Sequence, residues 1–376
     1  MKHVLITGSE GFIGKNLREH LYERKDIKVL LFDKEQQISD LQELVAQSDI
    51  IFHLAGVNRP QDPLEFNTGN TGLTSQLLSM IESNISLSKR KIPIVFTSST
   101  QASLENPYGT SKNRSEKIVF DYAKKSGSEV HVFRLPNVFG KWCRPNYNSV
   151  VATFCYNIVH DLPIQIHDPK APLTLVYIDD VIQQFVRIID GHACEHDTDG
   201  YARVLTTYTT TVGEIADQII SYKQSRENMI TEPVGTGFFR ALYSTYLSYL
   251  PKESFSYPVR EHRDSRGVFV EMLKTKDSGQ FSFFTAHPGI TRGGHYHHSK
   301  TEKFLVLKGE AKFRFQHILT GEMHEIITKG DHPVIVDTVP GWIHDISNIG
   351  NDDLIVMLWA NEMFDCDHPD TYSRPL

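Results

Sequence analysis

The sequence predicts two architectures in series: a doubly wound α/β domain with a parallel sheet, then a smaller all-β domain of antiparallel strands. Three observations carry this. Short apolar runs alternate with amphipathic stretches over the first 190 residues, and such alternation implies a parallel sheet with helices on both faces. The apolar runs are short and continuous, as strands buried on both sides require. After about residue 252 many strand-like runs occur, separated by Gly, Asp, Pro and His, which points to an antiparallel sandwich or barrel. The boundary falls near 248–258, giving domains 1–250 and 251–376.

Taken in order, HVLIT (3–7), KVLLFD (28–33), DIIFHLAG (49–56), IPIVFTSS (92–99) and EVHVFRLPNVFG (129–140) hold the five strands of the first sheet. Between them, KNLREHLYERK (15–25), DLQELVAQ (40–47), the stretch 69–84 and the residues after Tyr108 read as helices. TTYTTTVGEIADQIISYK reads as a strand and a helix, and FFRALYSTYLSYLP (238–251) as a last helix packed by its apolar stripe. Beyond it, FSYPV, RGVFVEML, GQFSFFTA, EKFLVLKGEAKFRFQHI, MHEIITK, HPVIVDTV, WIHDISNIG and DDLIVMLWA read as strands.

Composition narrows the function. Over 376 residues, 40% are hydrophobic and 23% charged, ordinary for a folded globular chain. The net charge of −7 argues against bulk nucleic-acid binding. No run approaches the roughly 18 apolar residues of a membrane span, and the opening MKHVLITG does not read as a secretory signal. Cys143, Cys155, Cys194 and Cys366 lie far apart, so a disulfide scaffold is not expected and a cytoplasmic setting fits. Ten of the 18 histidines fall after residue 250, which separates the chemistry of the two halves.

In the first half, Gly8, Gly11 and Gly14 form TGSEGFIG between a strand and a helix. That context suits a Rossmann-type pyrophosphate site. The glycines permit a sharp turn, close approach and tight packing, while the helix N-terminus offers free N–H groups. Asp33 ends the second strand, where a carboxylate accepts the ribose diol of NAD. Lys34 comes next and could instead neutralise the 2′-phosphate of NADPH. Tyr108 and Lys112 stand at i and i+4 in NPYGTSK, so they share a helix face. A Lys beside a phenol should lower its pKa, and Tyr108 could then donate a proton to a carbonyl as hydride arrives.

TGSEGFIG, HLAG (53–56), TSS (97–99), YGTSK (108–112), RLPNVFG (134–140) and VYIDD (176–180) occur in the order seen in the extended short-chain dehydrogenase/reductases, or extended SDRs. The stretch 1–245 resembles that family. The resemblance implies Ser99 (or Thr100) near the substrate carbonyl, Tyr108 as proton donor or acceptor, and Lys112 on the nicotinamide ribose. It places the cofactor against Gly8, Gly11, Phe12, Ile13 and Gly14, beside Asp33 and Lys34. Leu54, Ala55, Gly56, Leu135 and Asn137 complete that cleft. Only eight residues separate Ser99 from Tyr108, where relatives have a longer connection. Arg134 borders the nicotinamide or forms a structural ion pair. Arg144 contacts a diphosphate or is a solvated loop cation.

In the second half, GITRGGHYHHSKTEKFLVLKG reads Gly289-x5-His295-x-His297-x4-Glu302-x6-Gly309. Alternate strand residues point the same way, so His295 and His297 share a face. PGWIHDISN supplies His344. Three imidazoles and a carboxylate suit Zn²⁺, as a closed structural ion or an open Lewis acid, with four ligands leaning toward the closed form. His317, His324, His332 and His368 read as surface residues, and His298 as either a supporting or a surface residue. The spacing resembles the first motif of the cupin family, a fold of small β-barrels, over 252–376.

A reductase domain joined to a cupin is restrictive. The whole chain resembles the bifunctional capsule and O-antigen enzymes of the UDP-N-acetyl-L-fucosamine pathway. The resemblance implies that the cupin epimerises C3 of UDP-2-acetamido-2,6-dideoxy-β-L-arabino-hexos-4-ulose. The reductase then reduces the C4 ketone with NADPH to UDP-2-acetamido-2,6-dideoxy-β-L-talose. It also implies a homodimer. The alternatives are a monofunctional UDP-sugar 4-ketoreductase or epimerase with a non-catalytic sugar-binding cupin, and a non-enzymatic regulator. Three residues stand near the metal strand as candidates for the epimerase base: Tyr296, His298 and Lys303.

Overall fold

The five strands of the first half pair in parallel. The computed structural model describes residues 1–376 except 59, 61, 63, 260, 265–266, 271–272, 276–278 and 363–366. Strands β1 (Lys2–Thr7), β2 (Ile27–Phe32), β3 (Ile50–His53), β4 (Ile94–Ser99) and β5 (Val130–Leu135) take the order β2-β1-β3-β4-β5. Helices α1 (Phe12–Tyr22), α2 (Ile38–Gln47), α3 (Leu73–Ser88) and α4 (Pro107–Ser126) are the crossovers. Leu5, Leu30, Ile51, Ile94, Phe96 and Val132 pack with Leu77, Ile81, Val119 and Tyr122 from α3 and α4 in one core. Each fully buried aliphatic side chain there contributes about 1.5–3 kcal/mol.

Two local differences from the expectation have physical causes. A π-helical turn, Asn67–Gly72, leads into α3, so that helix starts later than 69. The run 129–140 is broken at Pro136, which has no N–H to give a ladder. Beyond that proline, β6 (Asn137–Phe139) pairs in parallel with β7 (Pro172–Tyr177) outside the main sheet.

The chain forms two compact units. One comprises 1–149 and 173–209, the other 150–172 and 210–376. Helix α5 (Val150–Val159) belongs to the second, α6 (Ile178–Ile189) to the first, and α7 (Val212–Asn228) and α8 (Gly237–Leu247) to the second.

The second unit carries two antiparallel five-stranded sheets of a small barrel. One runs Ser256–Pro258, Val334–Asp337, Glu302–Lys308, Leu354–Ala360, Gln280–Ala286. The other runs Met323–Lys329, Glu310–His317, Trp342–Asn348, Thr291–Tyr296, Tyr372–Ser373. The long apolar run from 302 turns at Gly309 and changes sheet, and Phe304 on one side meets Phe313 on the other at 5.6 Å. Within RGVFVEML, Gly267–Val270 is a strand of a hairpin with Glu261–Asp264, while Arg266, Glu271 and Met272 lie outside the described residues, as does Cys366.

Buried charge ties α7 to the barrel. Lys303 donates to Asp337 at 2.7 Å and to the Tyr257 hydroxyl at 3.0 Å, and Arg226 lies 4.1 Å over the Tyr257 ring and 3.3 Å from Asp337. Among the described residues, no helix is long and apolar enough to cross a membrane.

Candidate active site and candidate metal centre

In the first unit, β1 runs into Gly8, whose φ of +72° is left-handed. A Cβ there would stand 2.7 Å from the Ala55 backbone, so the turn needs glycine. Gly11 stands at the cap position before α1 and offers no side-chain cap, which leaves N–H groups of the first turn for an anion. Asp33 accepts the N–H groups of Glu10 (2.7 Å) and Lys34 (2.8 Å), closing the glycine turn onto β2. Lys34 is highly exposed, its ammonium 3.7 Å from Glu35. These residues fit a dinucleotide.

The helix carrying Tyr108 starts where local chemistry demands. Asn106 caps it by accepting the Gly109 N–H at 2.7 Å, and Pro107 takes the first helical position. Gly109 lies so close to the turn after β4 that a Cβ would meet the Gln101 carbonyl at 2.2 Å. That approach sets the Tyr108 phenol near enough to the Ser99 hydroxyl for it to bear on the phenol's pKa, despite the short connection. Thr100 instead begins the 3₁₀ turn Thr100–Ser103. Burial raises the phenol pKa, the Ser99 hydrogen bond opposes this, and Tyr147 adds to the rise. The expected lowering by Lys112 is therefore not what the structure shows. Lys112 turns its ammonium to the Thr97 carbonyl at 3.0 Å, and burial pulls its pKa down to about 8 against the charge of Glu116.

Behind Lys112 lies a polar chain that sequence reasoning missed. The Asn70 amide bonds Ser111 at 2.9 Å and accepts from Val57, and the Thr74 hydroxyl donates to the Asn70 carbonyl. His53 bridges Thr7 (2.7 Å) and Thr74 (2.9 Å). Burial, then the Lys112 charge, pushes His53 down to about 3, so it is neutral. Arg134 resolves to the structural alternative: it grips Glu116 through two bonds of 3.0 and 2.6 Å and stacks on Tyr201. Arg144 stacks on Tyr147 at 4.9 Å. Leu135 is buried at the end of β5, and Asn137 is exposed, reaching the Thr174 carbonyl at 3.4 Å.

In the second unit, His295, His297, Glu302 and His344 converge, with donor atoms within 4.8 Å of one another. Gly293 and Gly294 both have positive φ, at a bulge where the register with Trp342–Asn348 shifts. The bulge aims His295 beside His344 at 4.7 Å between ring centroids. Nε2 of His297 lies 3.2 Å from Glu302, and Nε2 of His344 lies 3.5 Å from the same oxygen. Among the described residues, neither ring nitrogen of buried His344 finds a hydrogen-bond partner. Buried orphan nitrogens around a carboxylate fit a divalent cation such as Zn²⁺.

The electrostatics agree with that donor set. Burial and the neighbouring imidazoles His344 and His297 push His295 down to about 4. Burial lowers His344 too, against the pull of the nearby Glu302 carboxylate. At His297, burial acts downward but the Glu302 bond and charge outweigh it. At Glu302, burial acts upward, but the His297 bond and the nearby His344 imidazole win, holding the carboxyl well below its usual range.

The supporting residues were mostly invisible in the sequence. Asp370 takes the N–H groups of His298, Ser299 and Lys300 at 2.6–2.8 Å, and its carbonyl meets Nδ1 of His297. That contact leaves Nε2 of His297 for a metal. Lys300 pairs with Glu302 at 3.1 Å. From α8, the Ser244 hydroxyl donates to the Ser299 carbonyl at 2.5 Å. His298 is buried against Tyr296 and Tyr372, so its surface alternative is set aside. His332 and His368 are exposed as expected, whereas His317 and His324 are half-buried. Tyr296 and Lys303 neighbour ligands on their strands and so face away from the cluster; Lys303 is locked to Asp337.

Fold and sites together define a dinucleotide-binding reductase or epimerase module joined to an antiparallel barrel. The profile of the NAD dependent epimerase/dehydratase family matches residues 4–198, and that of the polysaccharide biosynthesis C-terminal domain matches 262–372. The chain belongs to the NAD dependent epimerase/dehydratase family, and within it to the group of the capsular polysaccharide assembling protein CapF. It is 41% identical to CapF from Staphylococcus aureus, whose structure covers 99% of this chain and 100% of its own with a TM-score of 0.68. A second CapF structure, with the inhibitor 3-isopropenyl-tropolone, is 37% identical, covers 100% of both chains and has a TM-score of 0.64. A Pseudomonas aeruginosa protein, UDP-2-acetamido-2,6-beta-L-arabino-hexul-4-ose reductase, is 56% identical over 98% of each chain. Membership of this family brings a nicotinamide cofactor with it.

Proposed function

We propose that this chain is a bifunctional nucleotide-sugar enzyme of capsule or O-antigen synthesis, working in the cytoplasm as a homodimer. Residues 251–376 epimerise C3 of UDP-2-acetamido-2,6-dideoxy-β-L-arabino-hexos-4-ulose. Residues 1–250 reduce the C4 ketone with NADPH, giving UDP-2-acetamido-2,6-dideoxy-β-L-talose. The likeness over nearly the whole length to the Pseudomonas reductase supports the reduction and its substrate. The observation that carries the reading is the Ser99–Tyr108 pair with Lys112 one turn on, in a chain that also builds a four-donor cluster.

The chemistry is consistent. Tyr108 protonates the C4 oxygen as hydride reaches the carbon, Ser99 orients that oxygen, and Lys112 holds the nicotinamide ribose. NADPH fits because both Asp33 oxygens already accept main-chain N–H groups while the exposed Lys34 can meet a 2′-phosphate. The C4 ketone acidifies the C3 proton, so removal and return on the other face invert C3. His295, His297, Glu302 and His344 would hold Zn²⁺, whose positive charge would favour the developing enolate. Reduction then removes the ketone and makes the inversion irreversible.

Proton NMR in D₂O tests this. The UDP-4-keto-6-deoxy-N-acetylhexosamine is incubated with the enzyme, first without NADPH and then with it. Deuterium at C3 before NADPH is added is the expected result. Reduction with no prior exchange would leave a plain 4-ketoreductase and a barrel that does not turn over substrate.

A further inference from the structure

A second cluster of metal-binding side chains lies in the first unit, away from the cofactor turn. His131 is the second residue of β5 and is 3% exposed. Its ring stacks on His196, with centroids 5.6 Å apart and planes 24° from parallel. Nε2 of His131 is 3.0 Å from the Glu129 carboxylate. Its Nδ1 is buried and, among the described residues, has no hydrogen-bond partner. Cys194 is a free thiol, and one donor atom each from His131, Cys194 and His196 lies within 4.8 Å of the others.

The backbone holds these three in place. The segment after Cys194 forms a tight hairpin, with Arg203 N–H to Glu195 and Asp197 N–H to Tyr201, both 2.9 Å. Ala202 donates to Val132 at 2.9 Å, fastening the hairpin along β5. The thiol has two long contacts, with the Gln184 amide at 3.7 Å and the Glu195 carbonyl at 3.6 Å.

We propose that His131 Nδ1, the Cys194 thiolate and His196 bind a borderline-soft divalent transition ion, Zn²⁺ foremost, with water as fourth ligand. One sulfur and two imidazole nitrogens are the donors zinc selects, and they reject Ca²⁺ and Mg²⁺, which require oxygen. Bond lengths of about 2.0–2.3 Å place tetrahedral donors roughly 3.5 Å apart, so a shift of about 1 Å closes the site. Glu129 on the far nitrogen is the carboxylate partner that orients ligating histidines and raises their basicity. The Gln184 N–H suits a thiolate. The site lies at the start of β5, whereas Gly8 and Ser99 stand at the carboxyl ends of β1 and β4. It therefore fastens the hairpin to the sheet edge and takes no part in hydride transfer.

Cobalt substitution tests the site without relying on activity. Metal-stripped full-length protein is titrated with Co²⁺, and the near-ultraviolet thiolate-to-cobalt charge-transfer band is monitored. The barrel cluster contains no sulfur, so it gives no such band. The expected result is a band complete by two equivalents of Co²⁺, since the barrel cluster takes up one silently, lost in Cys194→Ser and in His196→Gln, and kept in His295→Ala. Circular dichroism confirms that each variant is folded; His196 is exposed and its replacement leaves the core intact. No band in the wild-type chain, a band needing millimolar metal, or one surviving Cys194→Ser would overturn the proposal.

Discussion

The Lys112 ammonium and the Thr97 carbonyl are 3.0 Å apart in a space closed to solvent. Burial is the stronger influence on that lysine, holding its pKa at about 8 against an ordinary 10.5. Below about pH 8 the group is charged in the folded state, above it neutral. Because the folded value is depressed, the unfolded chain binds the extra proton between about 8 and 10.4, and stability rises with pH through that window. Reduction should move the other way, with the Michaelis constant for NADPH increasing above about pH 8. In Lys112→Arg the inflection should vanish from the pH profile; a wild-type profile flat between pH 7 and 9 would refute the assignment.

Tyr108→Phe keeps the ring that packs 6.0 Å from Phe66 and removes the hydroxyl. NADPH binding by calorimetry should be unchanged, and ketone reduction should fall by about 10²–10⁴. Turnover within tenfold of wild type would remove Tyr108 from the proton path.

At the barrel centre, His295→Ala should lower bound zinc, measured by mass spectrometry, without weakening NADPH binding. Unchanged metal content would mean the ligand set is wrong.

Asp370 makes its own prediction. Its carboxylate holds three successive N–H groups of the loop between His297 and Glu302. Asp370→Ala should weaken zinc by about 10–100-fold, the usual effect of losing a residue that orients ligands. A chelator competition assay reads this directly, and equal affinities would make Asp370 a loop anchor with no bearing on the metal.

The features legible in the sequence and those hidden from it divide along chain distance. Gly8, Tyr108 with Lys112, and His295 with His297 and Glu302 were legible because turn, helix and strand periodicities are local. Asp370 was not: it lies 72 residues from His298 in the chain, and no local pattern announces such a contact. The chain from His53 through Thr74 and Asn70 to Ser111 was hidden likewise, because buried hydrogen bonds between separate elements have no spacing rule. Lys303 misled because nearness to Glu302 in sequence places it on the opposite side of the strand. The pKa of Tyr108 misled because burial, which spacing does not reveal, outweighed the expected cation.

Glu116 and Arg134 supply a stability test. The carboxylate is almost fully buried and also accepts the Tyr201 hydroxyl at 3.1 Å. Arg134→Met should cost about 3–5 kcal/mol by leaving that charge unpaired. Denaturant midpoints for Glu116→Met combined with Arg134→Met should show a smaller loss than the arginine change alone. Simple additivity would mean the pair is not coupled.

The paired glycines before His295 have a consequence for how this chain can change over time. Side chains on a strand alternate sides at every step, so the barrel centre is written in parity as much as in residue type. Losing Gly293 or Gly294 would shift the count by one and present Tyr296 and His298 where His295 and His297 now stand. The turn at Thr320 and Gly321, which closes onto His317, carries no such count. Insertions can accumulate there, while between Gly289 and Glu302 the number of residues is as strictly constrained as the histidines themselves.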